Sequence, residues 1–556
     1  MEFLVILKPT RLVTLCAAAG VLASGCATPP PAPVVPGFST DQLAAEIKTL
    51  ASDEFEGRRP ATAGEEKTVA FIENAYRAAG LKPGVGNGYR QPVPFVELTT
   101  RASDTLRVDG PGGKSLDLEY GDQTVFWTKR VVPQVNLEAS EIVFVGYGIV
   151  EPAMGWNDYA GVDMKGKTAL ILINDPGFET NDATLFKGRA MTYHGRWTYK
   201  FEEAARQGAS AAIIVHEEAP AAYPWAVVQN GAARPQLVID SAQAEPRVAV
   251  EGWVTREAAE ALLAAAGLDY ATLKAKALKR GFEPVPLGLT ATGSVRNGVR
   301  RATSSNVVGV LPGSTRPDEY VVLTAHWDHL GRALAFSGDA IFNGAVDNAT
   351  GTAGLLELAR AFGEVSPVPE RSVLFVAFTG EEYGLLGSEY FAEHPTVPLD
   401  RVAAGINIDG MSVSGRTNDV VVVGYGSSEL EKDLEAAAAK QGRVLVQEPT
   451  PEKGYYYRSD HFNLAKKGVP MIYAKSGVDS VAHGKEWGLA QQADYVSNRY
   501  HKPSDEFDPN WDLSGAVQDL EMYFAMSYAW SQESAFRNWY PGNEFRAIRD
   551  RSLAAK

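Results

Sequence analysis

Hydrophobic and polar positions fall into three successive textures along the chain. Val69, Ile72, Tyr76 and Ala79 recur at helical spacing. They predict a helix from about Glu65 to Ala79, ended by Gly80, while the cluster Ser39-Thr40-Asp41 marks the start of an earlier helix. From about Leu98 to Pro286 the pattern turns strand-like, with Glu141–Val145 and Thr168–Ile173. A helix is expected over Tyr199–Gln207 and a strand over Ala211–Val215. From Ser305 to about Phe536, short apolar runs alternate with amphipathic stretches, the pattern of an α/β layered fold with a largely buried sheet.

The polar residues at the ends of those apolar runs change the picture. The run Tyr320–Ala325 leads into His326-Trp327-Asp328. Ser372–Phe378 leads, through Thr379-Gly380, into Glu381-Glu382, and Ala403–Ile408 leads into Asp409. A Leu-, Ala- and Glu-rich helix follows Asp347-Asn348. Ligands of open α/β sheets bind beyond the carboxyl ends of the strands. Here those ends carry histidine and carboxylates, a donor set suited to zinc or a similar divalent ion. Two such ions side by side need a shared ligand, which a carboxylate with its two oxygens can supply, and a pair can activate water.

Composition narrows the alternatives. The 556 residues exceed what one core organises, so two domains are expected, and hydrophobic and charged shares of 45% and 22% are ordinary for a globular protein. A net charge of −15 argues against a nucleic-acid partner. The only two cysteines, Cys16 and Cys26, lie near the start, so the rest of the chain has neither disulfide nor thiolate ligand. Lys8, Arg11 and the apolar stretch Leu12–Leu22 read as a signal peptide over residues 1–26. The segment Leu22-Ala23-Ser24-Gly25-Cys26 resembles a bacterial lipobox, with Ala23 where a larger aliphatic residue is usual. The expectation is export to the bacterial cell envelope, with a membrane anchor on a lipidated Cys26 and a Pro-rich tether over 27–38.

The order His-x-Asp, Asp-Asn-x-x-Gly, Glu-Glu, Asp-Gly and a late His resembles zinc aminopeptidases and carboxypeptidases of the M28 type. The resemblance covers roughly 40–95 and 303–535, and includes Gly57-Arg58, Gly64, Arg458-Ser459-Asp460-His461 and Gly468-Val469-Pro470. It implies a mixed, mostly parallel central sheet flanked by helices and a site with two zinc ions. By it, His326, Asp347, Glu382, Asp409 and His501 are the metal ligands, with Asp347 bridging. Asp328 orients His326, Glu381 is the general base, and Tyr456 matches a position that helps stabilise the oxyanion. It also implies a cis bond between Asp347 and Asn348. His329 and His461 read as supporting residues rather than ligands.

Gly146-Tyr147-Gly148, Asp158-Tyr159, Lys165-Gly166-Lys167 and Gly208-Ala209 resemble a protease-associated domain, a small β-rich insert. The expected organisation is peptidase residues 39–130, the insert over 131–290, and the main peptidase domain over 303–545. The insert is expected to stand apart from the main sheet and to donate no ligand. Together these features imply an exopeptidase acting on peptides, with aminopeptidase as the leading reading and carboxypeptidase as the alternative. A non-catalytic binding protein would lack ligands or the base, and all six residues are present.

Overall fold

The computed structural model describes residues 37–241, 246–333 and 338–554. The expectations for the signal segment, Cys26 and all but the end of the tether fall on residues 1–36, outside the described residues. No helix among the described residues is long and apolar enough to cross a membrane.

The first helix, Thr40–Leu50, begins where Ser39 accepts a hydrogen bond from the Gln42 N–H. The second, Ala63–Ala78, buries Val69, Ile72 and Tyr76. Both pack with the helix Thr350–Glu364 on one face of a mixed sheet. Strands Arg371–Phe378, Arg316–His326, Val402–Ile408 and Met471–Ser476 run parallel through its centre. Asp419–Val422 is antiparallel to Met471–Ser476, and Val444–Gln447 lies outermost. The central strands read as continuous apolar runs because both faces are covered. Val321, Leu323 and Ala325 face the core just described, and Val322 joins Val308, Leu374, Phe391 and Leu464 on the other side. This is the mixed, mostly parallel sheet with flanking helices that the motifs implied.

The middle of the chain has its own cores. Strands Gln134–Phe144, Thr168–Leu172, Ala211–His216 and Val250–Thr255 lie parallel, with Thr124–Trp127 antiparallel at the far edge. Helices Trp197–Arg206, Arg256–Ala265 and Tyr270–Ala277 make this unit more α/β than the β-rich insert expected.

Two further expectations are corrected. The boundary at 131 falls inside this core, because Leu106, Val108, Leu118 and Phe126 pack with Phe144 and Ile213. The unit also does not stand apart from the main sheet. Arg90–Ala102 pairs along Val285–Leu311, from Arg90 opposite Val307 to Ala102 opposite Val295. The latter strand meets Gln134–Phe144 at one end and Arg371–Phe378 at the other. At 27 residues it is long enough to serve both cores.

Candidate metal centre

The three strand ends deliver their side chains to one place. His326 is the last residue of its strand and is buried. Gly380 takes a left-handed turn (φ 67°) after Arg371–Phe378, which brings Glu381 and Glu382 back over the sheet edge. Asp409 follows Val402–Ile408 directly. Asp347 sits in the turn that opens the helix Thr350–Glu364, and the Asp347–Asn348 bond is cis. His501 follows the helix Lys485–Asn498, with Tyr500 stacked on its ring at 3.9 Å.

Asp347 stands between two histidines. Its Oδ1 lies 3.3 Å from His326 Nε2, and its Oδ2 lies 3.2 Å from His501 Nε2. Asp409 Oδ1 is 3.6 Å from the same His326 nitrogen, and Glu382 Oε2 is 3.0 Å from the same His501 nitrogen. Donors arranged tetrahedrally around an ion at about 2.0–2.2 Å stand roughly 3.3–3.6 Å apart. The His–carboxylate spacings here, 3.0, 3.2, 3.3 and 3.6 Å, lie within or just below that range, so small shifts would admit zinc-sized ions. His326, Glu381 and Asp409 form one group able to hold a metal, and His329, Asp347 and Glu382 form another. No residue of the insert belongs to either group.

Charge explains why these groups need a cation. Burial works against ionising Asp347, but the hydrogen bonds of His326 and His501 hold its carboxyl well below the usual range. Glu382 is held at about 2 against burial, mainly by His501 and His329. Burial likewise opposes charging His501, yet Glu382 and Asp347 push it up to about 10. Glu381 behaves oppositely. Burial, reinforced by the charges of Asp409 and Glu382, raises its carboxyl well above the usual range despite His326. Without metal, protons on the imidazoles offset the carboxylates; a divalent ion would take their place.

The supporting residues differ in part from expectation. Asp328 meets His326 Nδ1 through its backbone carbonyl at 3.2 Å, while its carboxylate is 3.9 Å away. That carboxylate instead accepts the Glu381 N–H at 3.1 Å, so Asp328 steadies both residues. His329 Nδ1 lies 2.5 Å from Glu382 Oε1, closer to the ligand set than the supporting role implied. His461 is buried and belongs to neither metal group. Tyr456 packs against Tyr457, His461 and Gly424 in a separate aromatic cluster. Its buried hydroxyl has no partner and lies in the field of Glu544 and Glu431. Tyr473 and Tyr500 are the tyrosines whose hydroxyls feel Asp409, Glu381 and Asp347.

Three further residues hold the site: Arg58 and Asn348 stand in the motifs above without an assigned role, and Asp505 is not among them. Asp505 accepts the N–H groups of Val346 and Asp347, both at 3.1 Å. Asn348 donates to the carbonyls of His326 and Ile408 and accepts from Gly351 and Gly410, tying two strand ends to the helix start. Buried Arg58 donates to the carbonyls of Trp327, Leu50, Asn343 and Gly344. Burial lowers its guanidinium to about 10, against the pull of Asp505, Asp347, Asp328 and Glu382.

An α/β sheet with histidine and carboxylates gathered at its strand ends is a setting in which a divalent metal ion can be held. Residues 306–525 match the family described as peptidase family M28. Aminopeptidase NAALADL1 of Mus musculus is 38% identical over 137 residues, 23% of this chain and 17% of that protein. A probable zinc metalloprotease of Pyrenophora teres f. teres (strain 0-1) is 41% identical over 106 residues, 19% of this chain and 22% of that protein. The chain thus spans well under half the length of these curated relatives. Among solved structures, an aminopeptidase from Aneurinibacillus sp. strain AM-1 is 20% identical, with a TM-score of 0.48, covering 90% of this chain and 95% of that one.

Proposed function

We propose that this chain is a zinc-dependent exopeptidase, and specifically an aminopeptidase that removes N-terminal residues from peptides using two zinc ions. The observation that carries the reading is Asp347, whose two oxygens face two different histidines. His326 and Asp409 would hold one ion, Glu382 and His501 the other, and Asp347 both. Bound there, zinc would lower the pKa of water and stabilise negative charge developing on the substrate carbonyl oxygen. Glu381 takes the proton of the attacking water and hands it to the leaving amine. Asp328 holds the Glu381 backbone through its N–H, keeping that carboxylate in position. Asp328 and Asp505 act as positioning residues.

The same proposal includes the middle unit as a protease-associated insert, and export with a lipid anchor at Cys26. The test is hydrolysis of amino-acid amides and peptides with free or acetylated N-termini, with and without chelator. Cleavage of free-amine substrates only, lost with chelator and restored by zinc, is the expected result. Equal cleavage of acetylated peptides at their carboxyl end would favour the carboxypeptidase form.

A further inference from the structure

The strand Val285–Leu311 has one open stretch of edge, and that stretch borders the metal centre. On one side the strand pairs with Arg90–Ala102 from Val295 to Val307. On the other side it pairs with Gln134–Phe144 up to Arg296, and with Arg371–Phe378 from Val307 onward. Between those two neighbours, no strand among the described residues covers it. The gap exists because the chain leaves the sheet after Phe378 and turns at Gly380, carrying Glu381 back over the sheet edge.

Backbone alternation tells which groups the gap exposes. Even-numbered residues bond toward the Arg90–Ala102 side: the Ser294 carbonyl accepts the Ser103 N–H at 2.8 Å, and the Val308 N–H donates to the Tyr89 carbonyl at 2.7 Å. Odd-numbered residues bond the other way. The Asn297 N–H donates to the Pro133 carbonyl at 2.9 Å, and the Ser305 carbonyl accepts from Trp327 Nε1 at 3.0 Å. Val299, Arg301 and Thr303 lie between those two, so their N–H and C=O groups point into the gap. All three residues are exposed. Open edges invite strand addition, and proteins usually guard them with proline or free charge. No proline stands between Asn297 and Ser305, and Arg300 and Arg301 are tied to Glu97 and Asp240 at 3.0 and 2.8 Å.

We propose that this edge binds the backbone of peptide substrates, whose chain beyond the first few residues pairs with Val299, Arg301 and Thr303 as an added antiparallel strand. The inference rests on the peptidase reading and narrows its substrates to extended peptides of about five residues or more, chosen by backbone rather than by side chain. Position supports it. The strand is antiparallel to Arg371–Phe378, so its residues before Val307 project past that strand's carboxyl end, the side on which the metal centre lies. Ser304 Oγ is 2.6 Å from Thr379 Oγ1, and Thr379 stands two residues before Glu381, about 7 Å of chain at most. A substrate with its amino end at the metal centre covers that distance in about three extended residues and then runs from Thr303 toward Val299. Shape decides between occupants. The stretch from Asn297 to Ser305 is roughly 26 Å long at about 3.3 Å per residue, and strands flank it at both ends on its open side. Two copies of so recessed an edge cannot approach to the spacing of about 4.8 Å that paired strands need, whereas a single extended chain can.

The test uses the zinc-loaded, full-length protein and C-terminally amidated peptides that begin Leu-Ala and are extended with Ser-Ala repeats to four, six and eight residues. Two or three backbone hydrogen bonds of ordinary net strength together contribute about tenfold or more. kcat/KM should therefore rise at least about tenfold from the two-residue to the eight-residue peptide. Thr303→Pro removes one outward N–H and leaves the ladder to Arg90–Ala102 in place, and it should bring that ratio below about threefold. Methylating alternate peptide nitrogens of the eight-residue peptide should lower its rate for one alternate set and not for the other, because only every second N–H of a strand faces its neighbour. Rates independent of length would overturn the proposal, as would equal losses from both methylated sets or an unchanged ratio in Thr303→Pro. Sedimentation that shows the parent self-associating and Thr303→Pro monomeric would also overturn it, by giving the edge to a second copy. Calorimetry on zinc-loaded Glu381→Gln measures the affinities of the same peptides. If none is cleaved, the peptidase reading fails, while these affinities still decide the edge. If Thr303→Pro does not fold, Val299→Pro gives the same comparison, and the methylated peptides on the parent decide the matter if neither folds.

Discussion

In the insert, Lys200 is buried with Asp158 and Asp175, and its ammonium donates to the Tyr147 carbonyl at 2.6 Å. At the metal centre, four carboxylates crowd together and only imidazoles face them at close range. The cations Arg58 and Lys475 stand behind that cluster: Arg58 donates to backbone carbonyls, and Lys475 adds to the field on Asp409. Both regions bury acid groups near the ends of parallel strands. The insert balances them with a lysine from within the chain, whereas in the candidate metal centre only protons on imidazoles offset them, and a divalent ion could take the place of those protons. A buried charge must be compensated, and compensation by exchangeable protons rather than by lysine or arginine is what distinguishes a candidate metal site.

The sharpest way to probe the comparison is Glu381→Gln, which keeps shape but cannot take a proton from water. Turnover should fall by about 10²–10⁴-fold with zinc content unchanged, whereas Glu382→Gln should lose zinc. Zinc per chain and rate, measured on both variants, decide this, and loss of zinc from Glu381→Gln alone would show the two roles to be reversed.

Next in size is Lys200→Met, which leaves Asp158 and Asp175 without their buried counter-charge. We expect about 3 kcal/mol lower stability, by the same amount with and without chelator, because this compensation needs no ion. A loss that disappears on zinc removal would erase the contrast between the halves.

A smaller effect is expected from Asp505→Ala, which frees two N–H groups beside Asp347 while touching no donor atom of the cluster. Zinc affinity should weaken about 10–100-fold, read by competition with a chelating dye, and unchanged affinity would remove Asp505 from the site.

The smallest concerns Glu46, remote from both regions. Burial and the charge of Glu357 raise its carboxyl from 4.5 to about 8. The folded protein then keeps a proton that the unfolded chain releases, so this group makes stability fall as pH rises from about 4.5 to 8. Glu46→Gln should remove that fall, and its Tm advantage over the parent should widen between pH 5 and 8. Parallel pH profiles would show that Glu46 is not protonated in the folded state.

Most of the site was legible from sequence because buried parallel strands leave a simple trace, an apolar run that stops at a polar residue. His326, Glu381, Glu382 and Asp409 stand at such stops. Arg58, although it stands in one of the motifs, and Asp505 lie far from them in sequence and bond to backbone atoms, so their residue types alone gave neither a role. Tyr456 illustrates a different limit. In Tyr455-Tyr456-Tyr457 the residue type is known but its direction is not, and packing against Gly424 takes Tyr456 into a core while Tyr473, from a neighbouring strand, meets the cluster's field.

The alternation of residues along the chain by itself determined the α/β class, the central strands and the chemistry available at their ends. It could do so because burial on two faces and the choice of metal donors are local demands on residue type. Tertiary structure decided what depends on partners distant in the chain. It joined the insert to the peptidase sheet through Arg90–Ala102 and Val285–Leu311, since a strand's sequence records which faces are buried but not which strand lies beside it. It also turned the two oxygens of Asp347 toward His326 and His501, which the sequence places far from each other and from Asp347.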